Sequence, residues 1–294
     1  MVQALNGRDS LWAVSGGGLS GCGYAMVVIT GLFSMRCTRM FHVKHLGRSQ
    51  AGRFPNASGL SCVGPLQGLD GAPRMAPVLD ETRLGQILSP FGISLTGQES
   101  RTVLVYLDLL LRWNRRINLT AIRSPEECVT RHFGESLYLA KWVALCGRLL
   151  DVGSGAGFPG LALKIAEPEL PVTLLEPVAK KRAFLKEVAR GCGFDRVEVR
   201  GERLEDYLRL PPPAPFDLVT ARAVGNIKAL VQDSAKCLAP GGHLCLWLSQ
   251  RQAAALARQG LGLTWQPPIH LPLGRERQIL VGRKERDKSC AHPR

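Results

Sequence analysis

The sequence predicts an α/β fold, a mostly parallel sheet with helices on both faces behind a small N-terminal helical layer. Three observations carry that expectation. An apolar run, Leu149-Leu150-Asp151-Val152, breaks into a turn holding Gly153, Gly155, Gly157 and Gly160. Beyond it, short apolar runs alternate with helical patterns, as parallel strands joined by crossover helices require. Ahead of it stand two helix-start signatures, each with a helical stripe of apolar residues behind it.

Taken in order, residues 1–74 contain thirteen of the 32 glycines, only two acids (Asp9 and Asp70) and no sustained periodicity. Such a composition buries too little apolar surface to offset the cost of ordering, so this segment is expected to lie outside the fold. Its one apolar run, 25–35, is too short for a membrane span and is preceded by a poor secretory lead. One back-translation of Met40-Phe41-His42-Val43-Lys44-His45 contains TGTTTCACGTGAAACA, an inverted repeat resembling a bacterial chromosome-partitioning site. The expectation is a start assigned too far upstream, with the working chain beginning near Met75; the alternative is a disordered, basic N-terminal extension.

From Met75 the pattern changes. Thr96 and Glu99 have capping-box spacing, and Val103, Leu104, Leu107, Leu110 and Leu111 then share one helical face up to Trp113. Ser124-Pro125-Glu126-Glu127 opens a second helix that carries Val129, Phe133 and Leu137 and is expected to run to about Trp142. Strands are expected at 149–152, 171–176, 196–200, 216–221 and 243–248, with helices at 179–190 and 227–238. A last strand at 277–282 follows no full helix and is expected to be antiparallel. The domain reading is an extension at 1–74, a helical layer at 75–148, a ligand-binding sheet at 149–284 and a basic tail at 285–294.

Lys and Arg number 38 against 24 Asp and Glu, a net charge of +14 that favours a polyanionic partner. The nine cysteines are scattered and include no C-x-x-C, which fits reduced thiols and excludes a disulfide framework or zinc site. No metal is expected.

Gly155-x-Gly157-x-x-Gly160 satisfies the dinucleotide fingerprint, so the two strand-end acids bear on which nucleotide it serves. Asp151, directly ahead of the turn, is expected to face the ligand, where it would repel pyrophosphate and suit a cation such as the sulfonium of S-adenosylmethionine. Glu176, at the end of the next strand, can accept ribose hydroxyls, as an acid does there in NAD proteins too. A methyltransferase, a nicotinamide-dependent oxidoreductase and a non-catalytic RNA-binding module all remain open on these residues.

Asp151-Val-Gly-Ser-Gly-Ala-Gly-Phe-Pro-Gly160, Trp113-Asn114 with Asn118-Leu119-Thr120, Arg131-His132 with Ser136, and Thr220-Ala221-Arg222-Ala223 together resemble the RsmG (GidB) family across about 75–284. The resemblance implies a Rossmann-like class I methyltransferase that uses S-adenosylmethionine to methylate N7 of a guanine in 16S ribosomal RNA, free or in the small-subunit particle. A cytoplasmic monomer with no membrane association is expected. It further implies that Gly153 and Phe158 contact the cofactor, that Leu204 and Glu205 lie along its adenine, that Glu176 takes the ribose and that Arg222 binds at the mouth. N7 carries a free lone pair, so no general base is expected, and His132 is expected in the core or on the RNA. Lys180, Lys181, Arg182, Arg131 and His132 are the RNA-contact candidates, extended on the helical layer by Arg112, Arg115, Arg116 and Arg123. One departure is that Trp247-Leu248-Ser249-Gln250 stands where the family often has Lys-Gly.

Overall fold

The computed structural model describes residues 79–211, 214–223, 225–274 and 276–286. The extension at 1–74 and the tail from 287 onward lie outside the described residues.

Helix α1 (Glu81–Leu88) is capped by Asp80, whose carboxylate accepts from the Arg83 amide at 2.7 Å. Helix α2 (Gly97–Asn114) opens on the expected capping box: Thr96 Oγ1 accepts from the Glu99 amide at 3.2 Å, and Glu99 accepts from the Thr96 amide at 2.7 Å. The second expected helix does not run through as one α-helix. Helix α3 (Pro125–Cys128) gives way to a π-helical stretch, Val129–Gly134, then to α4 (Glu135–Leu137) and a 3-10 turn, Tyr138–Lys141. Residues 132–137, across the end of the π stretch and α4, are all buried.

The sheet comprises β1 (Leu149–Val152), β2 (Val172–Leu175), β3 (Val197–Arg200), β4 (Phe216–Arg222), β5 (Leu238–Ser249), β6 (Thr264–Trp265), β7 (Ile269–His270) and β8 (Arg277–Arg283). Its order is β3-β2-β1-β4-β5-β8-β6, with β7 also paired to β8. The first five strands are parallel, and β8 runs antiparallel to β5 as expected, although a helix not expected there, Gln250–Ala257, lies between them. Pro240, Gly241 and Gly242 lie inside β5, ahead of the expected start at 243, where the pairing slips between Phe216↔Leu238 and Leu218↔His243.

Helices α5 (Gly160–Ala166), α6 (Ala179–Gly191), α7 (Leu204–Tyr207) and α8 (Ile227–Cys237) complete the parallel crossovers, and α9 (Gln250–Ala257) follows β5. Alternation along β1 divides its side chains between two cores. Leu149 joins Tyr106, Phe133, Leu174 and Phe184 on the face covered by α2 and α6, while Leu150 and Val152 join Val219, Leu230, Val231 and Leu256 beneath α8 and α9. Strand order reverses between β1 and β4, and in a Rossmann-like sheet the crevice beyond the carboxyl ends at that reversal is where ligands bind.

Candidate active site

The glycine turn leaves β1 at this switch point. The Gly153 amide donates to Leu175 O at 2.9 Å, and Gly155 and Gly157 take φ of +55° and +86°, values that a side chain would strain. At Gly160 the limit is space, since a Cβ there would sit 2.9 Å from Asp151 Oδ2. Glu176 is buried and fastens the turn to the next strand. Its Oε2 accepts from the Gly155 amide at 2.9 Å and its Oε1 from the Val178 amide at 2.8 Å. Each carboxylate oxygen keeps a further acceptor site for a ligand hydroxyl.

Asp151 departs from the expectation that it faces the ligand. It is fully buried, with Oδ1 accepting from Thr220 Oγ1 at 2.7 Å and Oδ2 lying under Gly160 without a hydrogen bond. Its place in β1 explains this, because Asp151 shares the face of Leu149 and points below the turn that follows. Burial pushes its carboxyl up to about 6 against the opposing effect of the Thr220 hydrogen bond.

Phe158, at the tip of the turn, lies between two parallel rings. Tyr106 stacks on it at 5.1 Å and 10°, and His132 at 4.8 Å and 17°, while Phe133 meets it edge-on at 4.9 Å. Tyr106 also donates its hydroxyl to Ala156 O at 2.5 Å, so the helical layer grips the turn by both ring and backbone. The Trp113-to-Thr120 motif serves this arrangement. Asn114 accepts from the Leu119 and Thr120 amides at 2.9 and 3.0 Å and shapes the loop that brings Thr120 Oγ1 to 2.9 Å from His132 Nε2. Burial, then the charges of Arg222 and Arg131, drive His132 down to about 3, so it is neutral at physiological pH. It is a buried ring beside the turn, which removes it from the surface RNA contacts.

At the carboxyl end of β4, Arg222 donates to Arg131 O at 2.6 Å and lies 3.4 Å from Glu135 Oε2. Glu135, only 2% exposed, also meets Arg277 and lies 3.5 Å from Arg131 Nε, while Trp247 Nε1 donates to Glu135 O at 3.0 Å. Arg131 pairs with Glu127 as well, at 3.5 Å. One buried carboxylate therefore gathers three guanidinium groups, and burial raises its pKa against the pull of Arg222 and Arg131. Sequence reading did not find Glu135 or Arg277, because nothing local marks a pair so far apart in the chain. Trp247 and Ser249 form a junction of their own. The Ser249 side chain accepts from the Gln252 amide at 3.3 Å and starts α9, where a family lysine was expected.

The remaining expected residues separate. Leu204 is buried in the core beneath α8, and Glu205 is exposed in the first turn of α7, just beyond β3. Lys180 is exposed and Lys181 half-buried, both in the first turn of α6. Arg182 instead turns back, donating to Glu176 O at 3.0 Å and Pro177 O at 2.6 Å, so it straps the loop rather than presenting a free charge to RNA. Among the described residues, no cluster of three or more His, Cys, Asp or Glu could hold a metal ion. No helix among them is long and apolar enough to cross a membrane.

Residues 99–260 match the GidB family, described as rRNA small subunit methyltransferase G. The chain belongs to the GidB family. The GidB match takes in the glycine turn, Glu176, the Glu135 cluster as far as Arg222, and Trp247. Relatives named ribosomal RNA small subunit methyltransferase G include one from Chloroflexus aggregans, 40% identical over 210 residues that cover 68% of this chain and 88% of the relative. Another, from Roseiflexus castenholzii, is 38% identical over 218 residues, covering 71% and 93%. A methyltransferase structure from Pyrococcus furiosus aligns with a TM-score of 0.44 at 16% identity, covering 53% of this chain and 84% of that one.

Proposed function

We propose that this GidB chain transfers the methyl group of S-adenosylmethionine to N7 of a guanine in 16S ribosomal RNA, in the free RNA or in the small-subunit particle. The observation that carries the reading is the pairing of Glu176 with the Gly155 amide at the switch point, which aligns a buried acid with the glycine turn of a family of rRNA methyltransferases. The residues present suit that donor. Asp151 Oδ1 is satisfied by Thr220 while Oδ2 is buried beneath the turn, and a sulfonium held at the turn would favour the ionised form of this acid.

When bound, the donor supplies a methyl group on positively charged sulfur. The N7 lone pair forms the new N–C bond as the C–S bond breaks, the bonding pair stays on sulfur, and the positive charge passes to the purine. No proton leaves, so the chain's work is positioning and exclusion of water. In this reading Glu176 accepts the ribose hydroxyls, Gly153 and Phe158 bound the cofactor, and Leu204 and Glu205 lie along the adenine. Asp151 acts electrostatically from below, and Arg222, held by Glu135, guards the mouth. His132, kept neutral, holds Phe158 in place and transfers no proton. Lys180 and Lys181 contact RNA phosphates. We also infer that 75–284 is the working methyltransferase unit, acting as a cytoplasmic monomer without a metal.

The direct test is incubation of the purified protein with labelled S-adenosylmethionine and small-subunit particles lacking the modification, followed by nuclease digestion and nucleoside analysis. Label in 7-methylguanosine supports the reading. Label only in another nucleoside, or none at all, contradicts it.

A further inference from the structure

An open cavity of about 190 Å³ lies between the C-terminal turn of α2 and the middle of α6, lined by Leu109, Arg112, Trp113, Arg115, Arg116 and Glu187. It is separate from the crevice at the strand ends. Its charge is unbalanced. Arg112 pairs with Asp108 at 3.0 Å and Glu187 with Arg190 at 2.7 Å, whereas Arg115 and Arg116 are exposed and have no ionic partner among the described residues. Trp113 is half-buried, its ring 5.7 Å from that of Phe184, so one edge is anchored in the core while the rest borders the cavity.

We propose that this groove is a second contact site for the RNA substrate, in which Arg115 and Arg116 hold a phosphodiester and Trp113 offers a stacking surface to an unpaired base. The proposal rests on the rRNA reading above and says where the RNA runs once it leaves the catalytic edge. Two guanidinium groups without an ionic partner among the described residues, beside an anchored aromatic ring, suit a nucleotide, because planar donors match phosphate oxygens and every base has a face to stack. The groove also continues the basic edge of the active site. Lys180 and Glu187 stand on the same helix, about 10 Å apart along its axis, so a strand crossing Lys180 and Lys181 reaches the groove within a short span.

The test compares the parent with Arg115→Ala/Arg116→Ala, using small-subunit particles that lack the modification and a 16S rRNA fragment. Arg258→Ala/Lys236→Ala, on helices packed against the opposite face of the sheet, removes the same amount of charge as a control. The groove variant is expected to raise KM for the particle on the order of tenfold and to flatten the logarithmic salt dependence of fragment binding by about one. Affinity for S-adenosylhomocysteine should stay parental, as should both RNA readouts in the control variant. Parental KM and salt slope in the groove variant overturn the proposal, as does an equal loss in the control. Failure of the parent itself to methylate RNA overturns the functional reading instead, which keeps the two failures distinct.

Discussion

The His132 ring lies parallel to that of Phe158, their centroids 4.8 Å apart and their planes 17° from each other. A residue of the π-helical stretch thus holds the glycine turn, and it does so as a neutral imidazole, because burial and two nearby arginines disfavour its charged form. Folding and the site are coupled at that contact.

Acid should therefore destabilise the protein through His132. Its folded pKa of about 3 lies below the ordinary 6.5, so the unfolded chain takes up the proton first. The stability from this residue is fully present above about pH 6.5 and is lost as pH falls toward 3. His132→Gln cannot titrate. It is expected to be about 1 kcal/mol less stable at pH 8 through loss of stacking, yet to show a flatter decline below pH 6.5. Urea unfolding across the pH range checks this, and parallel curves for variant and parent would refute it.

Asp151 should behave in the opposite sense. Its folded pKa, about 6, lies above the ordinary 3.8, so its burial costs nothing in acid and weakens the fold as pH rises through 6. Asp151→Asn preserves the acceptor for Thr220 and removes the charge. The variant is expected to gain up to about 3 kcal/mol at pH 8 and nothing near pH 3, while binding the sulfonium donor ten- to hundredfold more weakly. The product, which lacks the sulfonium charge, should lose less affinity than the donor. Thermal melts with calorimetric titration of both ligands test it, and a destabilised variant at pH 8 would contradict the assignment.

Glu176→Gln retains the shape of the acid but turns an amide donor toward one of two backbone amides. Loss of charge-assisted bonds costs about 1.5 to 3 kcal/mol, so affinity for S-adenosylhomocysteine should fall roughly ten- to hundredfold. Unchanged affinity by calorimetry would remove Glu176 from the ribose.

Much of the frame was legible because its causes are local. The apolar runs of β1, β2, β4 and β5 and the Thr96 capping box follow from composition and spacing, whereas α9, between β5 and the antiparallel β8, was not expected. What was not legible depends on distant partners or on a half-turn of geometry. Asp151 is drawn inward by its parity with Leu149 and by Thr220. Arg182 spends its guanidinium on the Glu176 and Pro177 carbonyls, which no sequence spacing reveals. The π turn at Val129–Gly134 and the clasp of Glu135 on Arg222 and Arg277 arise only when the helical layer docks on the sheet edge.

The two halves of the basic run in α6 should separate in experiment. Lys180→Ala/Lys181→Ala is expected to weaken binding of a 16S rRNA fragment and reduce its salt slope by about two, leaving cofactor affinity alone. Arg182→Ala should instead lower the melting temperature and cofactor affinity together, because it releases the Glu176 loop. Filter binding over a salt series distinguishes the cases, and identical salt slopes for the lysine variant and the parent would take those residues off the RNA.

The most direct measurement is mass spectrometry of 16S rRNA from a strain deleted for this gene, before and after complementation with a chain starting at Met75. The expected result is one 7-methylguanosine lost on deletion and restored by the shortened chain but not by its Glu176→Ala variant. An unchanged 7-methylguanosine content in the deletion strain would contradict the assignment of this chain as the guanine-N7 methyltransferase.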